Sequence, residues 1–125
     1  MPQKIAVCDD NDPYSELLKD FLLQNGYAVW RAVDAAQFAA RVRLEPPDLV
    51  ILDIQMAAGG GPAAAGALRS TPGMAAVPVV VCSGVPVEHQ KNWFRDIQNI
   101  RFVQKPAALP RLLEVIRELL PPSPG

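Results

Sequence analysis

Four short stretches of this sequence end in groups that do chemistry, and each follows an apolar run. "KIAVCD" leads into Asp9 and Asp10, "DLVILD" ends on Asp53, "VPVVVCS" ends on Ser83 before Gly84, and "IRFVQ" is followed by Lys105. Carboxylates ligate cations and act as nucleophiles or bases; a hydroxyl donates a hydrogen bond; an ammonium balances negative charge. Adjacent carboxylates at the end of a buried run repel one another and resist desolvation. Asp9 and Asp10 therefore need compensation from whatever else converges on them.

The elements that must position these groups are legible from periodicity and punctuation. "KIAVC", "AVWRA", "DLVIL", "VPVVVCS" and "IRFVQ" read as strands. The continuous apolar character of the third and fourth is that of strands buried on both faces of a parallel sheet. Between them lie helical patterns. "PYSELLKDFLLQNG" repeats Tyr14, Leu17, Leu18, Phe21 and Leu22 at helical spacing, with Asp12 as the expected N-cap, Pro13 at the first helical position and Gly26 as the stop. "DAAQFAARVRLE" starts at Asp34 with Phe38, Ala39 and Val42 inward, closed by Pro46 and Pro47. "PAAAGALRS" is a weak helix interrupted by Gly66, and "PVEHQKNWFRDIQ" has the poorest periodicity. "LPRLLEVIRELL" is well patterned, with Leu109, Leu112, Leu113, Ile116 and Leu120 on one side. Five strands alternating with five helices predict an α/β fold, an open parallel sheet covered on both faces. Ligands of such sheets bind beyond the carboxyl ends of the strands. Four of the five expected strands deliver a reactive group there; the second delivers only Arg31 and Ala32.

The totals agree. At 125 residues, half apolar and a fifth charged, the chain reads as one ordinary domain. A net charge of −1 gives no electrostatic case for nucleic acid or an anionic membrane. No apolar run approaches the ~20 residues of a membrane span, and "MPQKIAV" lacks a signal peptide's apolar region. Cys8 and Cys82 each sit in a β-branched run, so packing of reduced thiols is expected and, with it, a cytoplasmic address.

The chain resembles the receiver domain of bacterial two-component response regulators. The resemblance rests on Asp9-Asp10, on Asp53 ending "LVILD", on Ser83-Gly84 and on Lys105-Pro106 in "FVQKP", with Met56, Gly61 and Phe102 at matching offsets. It covers nearly the whole chain and implies a flavodoxin-like doubly wound sheet of strand order 2-1-3-4-5, residues 1–120 forming the domain and 121–125 a Pro-rich tail or linker start. Asp10 and Asp53 would then face each other. Facing carboxylates stay ionised when a cation sits among them, and a few carboxylates with several waters suggest Mg²⁺. The implied ligands are Asp10, Asp53 and the backbone carbonyl of Gln55, with Asp9 acting through water. By the same resemblance Asp53 accepts a phosphoryl group from a phosphohistidine of a sensor histidine kinase or histidine phosphotransfer domain. Lys105 neutralises charge, Ser83 bonds the phosphoryl group, and Phe102 swings inward to switch the partner-binding face. The Lys105-Pro106 bond is expected to be cis. Receivers often pair through the Phe102 face on activation, so a phosphorylation-dependent homodimer is implied as an option. On this reading the chain is no enzyme beyond its own phosphorylation and dephosphorylation.

Plainer readings stand beside these. "DNDPYS" fails the EF-hand pattern at Tyr14 and Ser15. His89 reads as solvated surface, Trp93 and Phe94 as core anchors. The loop "AAGGGP" departs from the family: Ala57 replaces the usual proline and Gly60 an acidic residue, predicting a mobile loop and a short or frayed third helix. Gln55, two past Asp53, is expected to influence phosphate lifetime. A small phosphatase of the haloacid dehalogenase type would use Asp10-Asn11-Asp12 as its Asp-x-Asp motif, but it leaves Asp53 unexplained and lacks an acidic motif after Lys105. A receiver-like interaction module without phosphate would more often have lost one of these residues.

Overall fold

Alternation along each strand divides the core in two. The computed structural model describes residues 2–56, 60–94 and 99–121. In strand β1 (Lys4–Cys8), Ile5 and Val7 face one side and Ala6 and Cys8 the other. The elements follow as α1 (Asp12–Gln24), β2 (Ala28–Ala32), α2 (Ala35–Val42), β3 (Leu49–Leu52), α3 (Gly60–Ser70), β4 (Val79–Ser83), α4 (Val87–Gln90), β5 (Ile100–Gln104) and α5 (Leu109–Leu119). A 3₁₀ turn, Lys91–Trp93, extends α4. The strands form one parallel sheet of order β2-β1-β3-β4-β5, the expected doubly wound arrangement.

Leu18 and Leu22 of α1 and Leu112 and Ile116 of α5 pack on Ile5, Val7, Ile51 and Val80. Phe38 and Val42 of α2 and Ala64, Ala65 and Leu68 of α3 cover the other face, with Trp30 and Phe94. All of β3 and β4 is buried, which accounts for their uninterrupted apolar sequence. The chain changes direction between β1 and β3, so the carboxyl ends of these neighbours open a crevice.

Several local expectations are corrected. The cap of α1 is Asn11, whose side chain accepts from the Tyr14 N–H at 3.1 Å, so Asp12 is already helical and Pro13 is second. Leu17 is 58% exposed because the buried stripe centres on Ser15, Leu18 and Leu22. Ala39 is exposed for the same geometrical reason in α2. Trp93 points outward, and of the two aromatics Phe94 alone packs into the core. Helix α3 is longer than expected, starting at Gly60. Helix α4 has only four residues. The expectations on Ala57, on Gly59, on residues 95–98 and on the tail beyond Pro121 lie outside the described residues.

Candidate functional site

Where the β1–β3 ladder ends, the two strands still share a bond. The Asp53 N–H donates to Cys8 O at 3.0 Å, and the Asp9 N–H donates to Ala32 O at 3.0 Å. These bonds fix the backbone under both acidic positions. Carboxylate oxygens of Asp9, Asp10 and Asp53 consequently lie within 4.8 Å of one another. Asp9 and Asp53 are buried and Asp10 is exposed, so the cluster opens to solvent on the Asp10 side. Three hard oxygen donors with an open side fit a cation that keeps waters in its coordination shell, as Mg²⁺ does.

Lys105 enters from the end of β5. Its Nζ donates to Asp9 Oδ2 at 2.6 Å and lies 3.5 Å from Asp53 Oδ2. Burial works against its charge, but the hydrogen bond and charge of Asp9 and the charge of Asp53 outweigh it and hold the ammonium above its usual range. The ammonium also sits 4.6 Å from the centre of the Tyr14 ring. The Tyr14 hydroxyl is 3.3 Å from Cys82 Sγ, and burial, with that thiol beside it, pushes the phenol up. The Lys105–Pro106 peptide bond is cis.

Asp9 is held on every side. Its Oδ1 accepts from the Asn11 N–H at 2.9 Å, while its carbonyl accepts from Arg31 Nε at 3.2 Å and Nη2 at 3.0 Å. The weak points in the site are elsewhere. Asp53 Oδ1 receives the Gln55 N–H at 3.4 Å, and Ser83 Oγ receives the Val85 N–H at 3.4 Å. Ser83 is fully buried, Gln55 exposed, and Phe102 half-buried, its ring 6.1 Å from that of Phe94.

The glycine run has a steric role that composition did not disclose. A Cβ on Gly61 would sit 2.5 Å from Asp53 O and 2.9 Å from Leu52 Cδ1, and Gly60 adopts φ +66° against Ile54 O. The Gly61 N–H donates to Ile54 O at 3.0 Å. The start of α3 thus packs directly on the backbone of Asp53, which a side chain would prevent.

Four residues of this neighbourhood were not singled out by sequence reasoning: Arg31, Asn11, Tyr14 in its role beside Lys105, and Gln90. Gln90 is fully buried, and its Nε2 lies within bonding distance of Val85 O (2.6 Å), Val103 O (3.2 Å) and Ser83 O (3.4 Å). Arg31 was legible only as a cation at the end of the strand beside β1.

The profile of the response regulator receiver domain matches residues 5–117. The polar-differentiation response regulator DivK of Brucella anthropi is 23% identical over 120 residues, covering 96% of this chain and 98% of that protein. Among solved structures, the chemotaxis response regulator CheY4 of Vibrio cholerae superposes with a TM-score of 0.88 at 20% identity, covering 96% of this chain and all of that one. The receiver domain of a sensor histidine kinase from Pseudomonas aeruginosa, a structure with magnesium coordinated in its active-site cleft, gives 0.85 at 18% identity over 95% and 98% of the two chains. With its parallel sheet of order 2-1-3-4-5 and its acidic crevice, this chain belongs to the response regulator receiver domain family.

Proposed function

We propose that Asp53 is the phosphoacceptor of this receiver domain. The observation that carries the reading is the placement of Asp53 within 4.8 Å of the Asp9 and Asp10 oxygens and 3.5 Å from the Lys105 ammonium. Asp9 shares these neighbours, but its carboxylate is already engaged by Lys105 at 2.6 Å and the Asn11 N–H at 2.9 Å, whereas Asp53 Oδ1 takes only the long bond from the Gln55 N–H at 3.4 Å. An Asp53 oxygen attacks phosphorus as the P–N bond to the donor histidine breaks, and the released imidazole takes up a proton. Lys105, already drawn toward Asp53, offsets the charge gathering on the phosphoryl oxygens. The Ser83 hydroxyl, which accepts only a long bond from Val85, keeps its proton for a phosphoryl oxygen. A Cβ at Gly84 would meet nothing within 4 Å, so the approach beside Ser83 stays open.

Asp10, Asp53 and the Gln55 carbonyl would hold Mg²⁺, with Asp9 reaching it through water because its carboxylate is engaged by Lys105 and Asn11. When bound, the ion supplies Lewis-acid neutralisation of the transferring group. The donor is a sensor histidine kinase or histidine phosphotransfer domain, and Phe102 carries the change to the partner-binding face of α4, β5 and α5, for which a second copy is one option. Residues 1–120 constitute the domain and 121–125 a tail or linker start. Two buried free thiols, Cys8 and Cys82, support a cytoplasmic address, and no helix among the described residues is long and apolar enough to cross a membrane.

Intact mass after incubation with a small-molecule phosphodonor and Mg²⁺ tests this. Wild type gains one phosphoryl group and Asp53→Asn gains none. Labelling that survives Asp53→Asn but disappears in Asp10→Asn would replace this reading with the phosphatase one.

A further inference from the structure

The β1 ladder ends at Asp9 with an imbalance. Its N–H still bonds Ala32 O, but its carbonyl is taken by side chains: Arg31 Nε and Nη2 at 3.2 and 3.0 Å, and the Ser15 hydroxyl at 3.4 Å. The Arg31 side chain is only 14% exposed, which is costly for a guanidinium unless its donors are engaged. Its ion pairs do not account for that burial. Asp12, at 2.6 Å, is 78% exposed and Glu16, at 3.6 Å, 58% exposed, and pairs so open contribute little because solvent screens them. The fork on a buried backbone carbonyl is what a planar guanidinium does and an ammonium cannot.

That carbonyl sits between two carboxylates with different tasks. Asp9 turns its side chain into the molecule, onto Lys105 and the Asn11 N–H, and Asp10 remains exposed beside Asp53. Like charges on consecutive residues favour a turn that swings them apart. We propose that Arg31 is a positioning residue for the cation site: by clamping the Asp9 carbonyl it holds the β1–α1 turn in the one orientation that commits Asp9 to Lys105 and leaves Asp10 with Asp53 for the ion. Arg31 touches neither ion nor phosphoryl group; it acts through the backbone of Asp9. Its positive charge alone would repel a cation, and Asp12 and Glu16 offset that charge. The inference rests on the Mg²⁺ reading above, yet makes a separate prediction in the absence of the ion.

The test compares the full chain with Arg31→Lys, Arg31→Gln and Asp12→Asn. Calorimetric titration with MgCl₂ reads affinity, and amide hydrogen exchange of Asn11 in Mg²⁺-free buffer reads the turn. Arg31→Lys keeps the charge and loses the fork, so Mg²⁺ should bind about tenfold more weakly, the low end for losing an outer-shell partner. Asn11 exchange should quicken by a similar factor. Arg31→Gln, a second variant should the first misfold, should weaken binding less because the repelling charge is also gone. Asp12→Asn should stay within about twofold, as an exposed pair predicts. Unchanged affinity in Arg31→Lys with tighter binding in Arg31→Gln would reduce Arg31 to a surface charge and overturn the proposal. Weaker binding without faster Asn11 exchange would overturn it too. If wild type itself takes up no Mg²⁺, the ion reading fails, and the exchange measurement still decides whether Arg31 holds the turn.

Discussion

The two flanks of the crevice are built to different tolerances. On the α1 side, Asp9 is fixed through its N–H, its carbonyl and both carboxylate oxygens, and the helix that follows is capped by Asn11 and runs for 13 residues. On the α4 side, the Ser83 carbonyl takes the Lys105 N–H at 2.8 Å, but its hydroxyl accepts one long bond at 3.4 Å, the helix that follows has four residues and no side-chain cap, and the buried Gln90 Oε1 has no hydrogen-bond partner among the described residues. The difference teaches that this receiver holds its acidic flank ready and leaves its hydroxyl flank cheap to move. Local stability of this kind is uneven by necessity in a domain that must switch.

The comparison breaks most visibly at Asp9. Asp9→Ala removes the charge-assisted bond at 2.6 Å and leaves Lys105 only the Asp53 carboxylate at 3.5 Å, so urea unfolding should report a loss of about 2 kcal/mol, against under about 1 kcal/mol for Ser83→Ala. Equal losses would erase the asymmetry. A smaller contrast sharpens it: Asn11→Ala should cost about 1 kcal/mol as a lost N-cap. Gln90→Met, by contrast, should stay within about 0.5 kcal/mol, because the loss of its amide bonds to the Val85, Val103 and Ser83 carbonyls is offset by removal of the orphaned oxygen. A clear destabilisation by Gln90→Met would mean that the α4 flank is held as firmly as the other.

The smallest effect concerns the layer beneath both flanks. Burial, helped by the carboxylates of Asp34 and Asp9, pushes the Cys8 thiol from 9.0 to about 12, and burial also raises Cys82. Each thiol therefore keeps its proton in the folded chain at a pH where the unfolded chain loses it. Stability from these groups is complete below about pH 8 and declines as pH rises past the unfolded value, by about half a kcal/mol between pH 8 and 9. Tyr14 and Lys105, also raised, add to the decline at higher pH. A stability flat to pH 10 would show that the thiols reach water in the folded state.

The strands were readable because burial on both faces leaves only apolar residues, as in "LVIL" and "VVVC". The longer helices were readable from their stripes, although Leu17 and Ala39 show that a stripe's edge depends on what packs against it. Asp9, Asp10, Asp53, Ser83 and Lys105 stood out since each interrupts or follows an apolar run with a group that such runs exclude. Gly60 and Gly61, which open α3, read as looseness, and only the approach of Gly61 to Asp53 O revealed a packing requirement.

By itself, then, the sequence determined the order of strands and helices and which chemical groups stand at their ends, because periodicity and turn chemistry are local. Which of two adjacent aspartates turns inward was decided only by the tertiary structure. That choice depends on Arg31, 22 positions away, and Lys105, 96 positions away, and no local pattern records the meeting of side chains so distant along the chain.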